Sequence, residues 1–347
     1  MKVARYYAPE DLRLEDIPVP EPGPGELLLR VRNCATCGSD VKIYFHGHRY
    51  LKPPRVIGHE VAGVVAALGD GVEGFAVGDG VQVIAAVPCG ECRECMLGHE
   101  NICENLTSIG YDYDGGYAEY LIVPELVLRV GGVNRIPEGL SFPEAAMTEP
   151  LACVLNGQEL ARVGEGDDVV VIGMGPIGCL HARLARARGA SRITLVERSP
   201  ERLELAAARI GPDEVVLAGP DHDPVAAVHA LTDGRGADVV IVAAPSGAAQ
   251  EEGIRMAAKR GRISLFGSLP KDDPYIRLDA NDVHYRDLTI VGAANSTPAQ
   301  NREALTMIAE GRVPVADLIT RTLPLEGLFD AIEGARSGQG IKYVIAP

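Results

Sequence analysis

Four cysteines, Cys89, Cys92, Cys95 and Cys103, crowd into fifteen residues, separated by two, two and seven others. Thiolates at that density can close a tetrahedral zinc site with no corner left for water or substrate, which makes the ion's role structural. Gly90 and Gly98, with the charged Glu91, Arg93 and Glu94, suit a loop wound around a metal. Such a loop buries no core of its own, and the metal would supply its stability. Four cysteines also serve iron–sulfur clusters. A nucleic-acid-binding zinc module is a further reading, against which the loop carries more Glu than Arg.

A second set of residues is dispersed. Cys37 stands in Cys37-Gly38-Ser39-Asp40, His59 in Gly58-His59-Glu60, and Glu149 in Thr148-Glu149-Pro150-Leu151. A thiolate, an imidazole and a carboxylate are zinc ligands, and three protein ligands leave a fourth position open. An ion there acidifies a bound alcohol and readies it to give up hydride to a nicotinamide. Singly, each residue has a blander reading. A histidine before an apolar strand is more often structural, and lone cysteines such as Cys34, Cys153 and Cys179 are usually core.

A third set reads as a dinucleotide site. Gly173-Met174-Gly175-Pro176-Ile177-Gly178 is G-x-G-x-x-G, weak by itself among 40 glycines. It follows an apolar strand and opens a helix, which is the context that gives the motif meaning. Its glycines permit a tight turn and close backbone approach to a pyrophosphate, which the helix N-terminus attracts. Glu197 ends the next strand, where an acid accepts from ribose hydroxyls and repels a 2′-phosphate, favouring NAD over NADP. Arg198 follows directly and tempers that preference, and Arg202, a helical turn on, is placed to pack on adenine. The bland alternative is a tight βα turn with no ligand.

The elements that must position these residues fall into two kinds. From Leu27 to about Val130, short β-like runs broken by Gly and Pro predict an antiparallel, barrel-like domain. Pro143–Ala161 reads as a helix, and a βα alternation follows. Its strands are Asp168–Gly173, Arg192–Glu197, Glu214–Leu217, Asp238–Val242, Gly261–Phe266 and Leu288–Val291. Its helices are Pro176–Arg188, Pro200–Ile210, Pro224–Leu231 and Ala248–Ala258. Continuous apolar strands between helices imply a parallel sheet covered on both faces, an α/β fold. Helices at Ala299–Glu310 and Leu325–Ser337 and a strand at Lys342–Ala346 form a tail expected to rejoin the first domain. The boundaries expected are 1–151 with 293–347, carrying a cysteine lobe at 88–104, and 152–292 for the nucleotide domain.

Composition narrows the partners. The chain has 347 residues, 46% of them hydrophobic, and a net charge of −15. No basic stripe is visible, so a nucleic-acid partner is not expected. No apolar run approaches the ~20 residues of a membrane span, and the start of the chain lacks the pattern of a secretory signal. The clustered cysteines fit a metal site in a cytoplasmic protein better than a disulfide framework.

Taken together, these segments resemble the zinc-containing medium-chain dehydrogenases over nearly the whole chain. The likeness rests on Cys37-Gly-Ser-Asp, Gly58-His-Glu, the four-cysteine lobe, Glu149-Pro-Leu, the glycine motif and Ile341-Lys342. It implies a GroES-like barrel domain, a Rossmann doubly wound parallel-sheet domain, one catalytic and one structural zinc, NAD, and a homodimer or homotetramer. The chain is more similar to the sorbitol and threonine dehydrogenase branch than to ethanol-type enzymes, which use a second cysteine where Glu149 stands. The resemblance implies Cys37 and His59 as zinc ligands with Glu60 or Glu149 as the third. It implies a proton relay starting at Ser39, with Lys42 where the family often has histidine, and His46 and His48 nearby. Asn156 replaces another common histidine. Phe45–Tyr50 and the Asn295 region are expected to border a substrate pocket.

The reading that follows is oxidation of a secondary alcohol of a polyol, sugar or cyclitol to a ketone. L-threonine 3-dehydrogenase is the alternative, with Arg49 as carboxylate partner. A metal-free quinone reductase would lack Cys37, His59 and the cysteine lobe. A non-catalytic dinucleotide-binding protein would keep the fold and turn over no alcohol.

Overall fold

The computed structural model describes residues 1–347, which divide into two compact units. The first is Met1–Ala152 together with Asn295–Pro347; the second is Cys153–Ala294.

The first unit is built on a seven-stranded sheet whose pivot is Leu27–Ala35. One edge of this strand pairs antiparallel with Glu60–Leu68 along its length, with Ala35 opposite Glu60. Its other edge is shared: Tyr120–Val123 covers the first half and Lys342–Ala346 the second, with Val344 opposite Ala35. The tail strand Ile319–Pro324 then pairs parallel with Lys342–Ala346. Leu27, Leu29, Ile57, Leu121 and Tyr117 are fully buried here, and each apolar side chain of that size contributes ~1.5–3 kcal/mol. A separate three-stranded sheet begins with the hairpin Lys2–Ala8 and Asp11–Asp16.

The second unit holds a six-stranded, wholly parallel sheet. Its order is Glu214–Leu217, Arg192–Glu197, Asp168–Ile172, Ala237–Val242, Ala257–Leu265, Thr289–Gly292. Asp168–Ile172 comes first in sequence yet sits in the middle, buried at every residue. Strand order reverses beside it, and ligands of such sheets bind past the carboxyl ends at that point.

Several elements depart from expectation. Pro143–Ala161 is not one helix but two, Phe142–Ala146 and Thr148–Leu160; Pro150 has no N–H to donate across the junction. The strand expected at Gly261 starts at Ala257, cutting the helix before it at Met256. There parallel pairing of Ala257 with Ala237 overrides a helix-favouring Ala-Ala-Lys-Arg sequence. A helix at Gly38–His46 is unforeseen. No helix is long and apolar enough to cross a membrane.

Candidate active site

Three strands of the first unit deliver one site. Leu27–Ala35 runs into Cys37, its neighbour begins at Glu60 just after His59, and the last strand begins at Lys342. The helix Gly38–His46 starts at once after Cys37. Asp40, at its third position, reaches back and accepts from the Cys37 N–H at 2.8 Å, the bond that usually closes a helix N-terminus. Gly58 sets the approach to His59: its φ is +92°, and a Cβ would lie 2.9 Å from Cys34 Sγ and 3.0 Å from the Tyr117 ring.

The ligand atoms of Cys37, His59 and Glu60 all lie within 4.8 Å of one another. His59 turns Nδ1 towards the buried Asp40 carboxylate, 3.6 Å away, and Asp40 also accepts from Tyr117 Oη at 2.8 Å. Lys342 Nζ donates to Glu60 Oε1 at 2.7 Å and stands 2.5 Å from Oε2. Burial pulls the His59 imidazole down, but Asp40 and the Cys37 thiol outweigh it and hold it well above its ordinary value. Burial pushes the Glu60 carboxyl up to about 7, against the pull of Lys342 and with the push of Glu149. Burial also works against the Lys342 ammonium, which Glu60 nevertheless holds above its usual value.

These residues fit a zinc ion. The donor set is a thiol, an imidazole and a carboxylate. Buried polar atoms without a hydrogen-bond partner gather here: Ser39 Oγ, Asp40 Oδ1 and His59 Nδ1. A buried cluster rich in carboxylates is costly unless a cation answers it, and a metal ion meets the demand that raises the proton affinity of His59 and Glu60. Glu149 is buried but lies outside the 4.8 Å group, and its charge bears on both Glu60 and Lys342.

The outer residues divide. Tyr111 is mostly buried, its ring 5.9 Å from His59 and 5.0 Å from His48. Lys42, His46, His48 and Arg49 are exposed, and Arg49 lies over the Tyr50 ring at 4.3 Å. Asn156 donates to the Ala294 carbonyl at 3.1 Å. Asn295 donates to the Asn101 carbonyl, tying the start of the returning segment to the cysteine lobe. Sequence reasoning passed over the roles of Asp40, Lys342 and Tyr111. Asp40 had a local signal, its place three residues into a helix; the others are brought in only by the fold.

In the lobe, the four sulfurs of Cys89, Cys92, Cys95 and Cys103 lie within 4.8 Å of each other. The Cys92 sulfur is 3.5 Å from Cys95 and 3.7 Å from Cys103. Backbone N–H groups of Cys89 and Asn105 point at Cys103 Sγ, and that of Cys92 at Cys89 Sγ, each at 3.3 Å. N–H donors from Glu91 and Cys92 draw the Cys89 thiol down to about 6, while burial pushes Cys95 up to about 12. A cage of sulfur with N–H groups aimed at it suits zinc bound as thiolate.

In the second unit, Gly173 has φ +96°, and a Cβ there would meet Ala244 at 2.9 Å. A Cβ on Gly178 would lie 1.9 Å from the Gly173 carbonyl, whereas one on Gly175 meets nothing within 4 Å. The first and third glycines are thus required by packing, and the second leaves open the space a pyrophosphate takes. Pro176 and Ile177 open the helix Pro176–Ala187 over that loop. Glu197 accepts from the Met174 N–H at 2.8 Å and from the Arg198 and Ser199 N–H groups at 2.7 and 3.2 Å. It clamps the glycine loop to the neighbouring strand. Arg198 is exposed and Arg202 half-buried.

Residues 23–131 match the family model of the alcohol dehydrogenase GroES-like domain, and residues 176–310 that of zinc-binding dehydrogenases. The chain is 31% identical to a sorbitol dehydrogenase of Halalkalibacterium halodurans, over 96% of this chain and 95% of the relative. It is 36% identical to an L-threonine 3-dehydrogenase of Pyrococcus horikoshii, over 84% and 81%. A solved protein of Sinorhizobium meliloti 1021, described as a zinc-binding dehydrogenase bound to NADP, superimposes with TM-score 0.90 at 30% identity, covering 100% and 99%. An alcohol dehydrogenase of Escherichia coli CFT073 complexed with NADH gives 0.90 at 28%, covering 100% and 99%. On these matches the chain belongs to the zinc-binding dehydrogenases, enzymes that act on CH–OH donors.

Proposed function

We propose that this chain oxidises a secondary alcohol of a polyol, sugar or cyclitol to the ketone, with NAD as acceptor. The observation that carries the reading is the convergence of Cys37, His59 and Glu60 beside the buried Ser39 hydroxyl. When bound, zinc supplies Lewis acidity towards the alcohol oxygen and the dinucleotide accepts the hydride. Cys37, His59 and Glu60 hold the ion, with Glu149 close enough in charge to bear on its carboxylate ligand. The Asp40 carboxylate, 3.6 Å from His59 Nδ1, draws that nitrogen towards it electrostatically and leaves the other ring nitrogen for the ion. Ser39 relays the hydroxyl proton, accepting it while passing its own onward towards solvent, so the substrate loses one hydride from carbon and one proton from oxygen. The Tyr111 ring lies 5.9 Å from that of His59 and borders the site.

NAD is preferred because Glu197 sets a fixed carboxylate at the end of the second strand, where a 2′-phosphate would be repelled. The second reading, threonine oxidation, rests on Arg49 as a partner for a carboxylate and on the Pyrococcus horikoshii relative. Both are settled by following NADH formation with sorbitol, inositols, sugar acids and L-threonine, and repeating the best substrate with NADP. Turnover with L-threonine alone would overturn the polyol reading. A preference for NADP would overturn the role given to Glu197.

A further inference from the structure

The Glu60 carboxylate stands between the Cys37 and His59 donors and the Lys342 ammonium. Its ligand oxygen lies within 4.8 Å of the Cys37 sulfur and a His59 ring nitrogen, and both its oxygens are within 2.7 Å of Lys342 Nζ. The two side chains are shut off from water, at 0% and 2% exposure. A buried ion pair seldom stabilises a fold more than apolar side chains of the same volume would, so stability is a poor reason for this one. Its placement is better explained by the metal. Lys342 opens the last strand, whose register sets Val344 opposite Ala35, itself opposite Glu60. The ammonium thereby reaches the carboxylate from the side of the returning chain. The other charged groups bearing on it are Cys37 and Glu149.

We propose that Lys342 is a positioning residue for the metal: it fixes the Glu60 carboxylate so that an oxygen is presented to Cys37 and His59, and so governs how firmly zinc is held. This rests on the reading of Cys37, His59 and Glu60 as a zinc site. Partners that orient a ligating side chain typically govern metal affinity ~10–100-fold.

The test measures zinc per chain and the rate of zinc transfer to a chromophoric chelator in the purified holoenzyme. Wild type should hold about two zinc ions per chain, one for each donor group. In Lys342→Met the more labile zinc should leave ~10–100-fold faster, while the four-cysteine zinc keeps its wild-type rate. In a Glu60→Gln background the same change should add nothing, because the lysine then has no carboxylate to place. That double variant removes both buried charges and is the one expected to fold best. Lys342→Arg keeps the charge but shifts it, so its cobalt-substituted form should show a displaced d–d absorption and intermediate release. Wild-type release from Lys342→Met, an equal effect in the Glu60→Gln background, or an unshifted cobalt band in Lys342→Arg would overturn the proposal. The underlying reading fails separately, if wild type holds a single zinc or if Cys37→Ala still holds two.

Discussion

At the scale of single residues, the proposed function divides the site into groups that would hold the ion and groups that would move the proton. Cys37→Ala should abolish turnover, lower zinc from about two per chain to about one, and leave dinucleotide affinity unchanged. Metal analysis alongside fluorescence titration of NADH checks all three. Ser39→Ala should keep both zinc ions and lose ~10²-fold or more in kcat, the usual cost of a missing acid–base group; steady-state kinetics on zinc-replete enzyme read it. The four cysteines could be read directly because their signal is confined to fifteen residues. Cys37 and His59 became readable only together with the other motifs. Lys342 and Glu60 meet across 282 residues, and no spacing rule reaches that far. Tyr111 carries no motif, and its place beside His59 comes from folding.

At the scale of elements, each motif depends on local backbone that the sequence showed unevenly. The glycine loop was plain, since strand, turn and helix follow one another without interruption. The structure adds a division of labour among its glycines, with a direct test. Gly178→Ala places a methyl 1.9 Å from the Gly173 carbonyl and should lower the melting temperature together with dinucleotide affinity. Gly175→Ala meets no protein atom within 4 Å, so it should leave melting alone and weaken NADH binding ~10-fold or more, the loss of a single close contact. Paired calorimetry and binding titrations separate them; equal melting temperatures in both variants would refute the division. Cys103→Ala should open the sulfur cage, lowering the melting temperature by roughly 5–10 °C before it touches chemistry. The helix Gly38–His46 escaped the sequence reading because it is short and opens on Gly-Ser behind a cysteine. The strand Ile319–Pro324 escaped because it is largely exposed and lacks an apolar alternation.

At the scale of the whole molecule, the acid response of the second unit has an identifiable contributor. His181 is wholly buried; Gln158 Nε2 donates to its carbonyl at 2.7 Å, and the Phe266 ring lies edge-on at 4.6 Å. Burial drives its pKa down to about 3 from an ordinary 6.5. Between those values the unfolded chain takes up a proton that the folded one refuses, so stability is intact above pH 6.5 and falls as pH drops towards 3. The loss should reach ~2–3 kcal/mol by pH 4.5. His181→Met should flatten that part of the curve, and urea melts at pH 7.0 and 4.5 measure it. The broad alternation of a β-rich region and a βα region was evident from the spacing of apolar runs. How the returning tail pairs was not, because a strand's neighbours leave no trace in its own residues. That tail supplies the strand lying between Leu27–Ala35 and Ile319–Pro324. Translation therefore finishes the reactive centre last. A chain released before residue 342 would already contain the cysteine, histidine and glutamate ligands and the whole nucleotide unit. It would lack the ammonium beside that glutamate, so a prematurely ended product should hold its metal less firmly than the full chain.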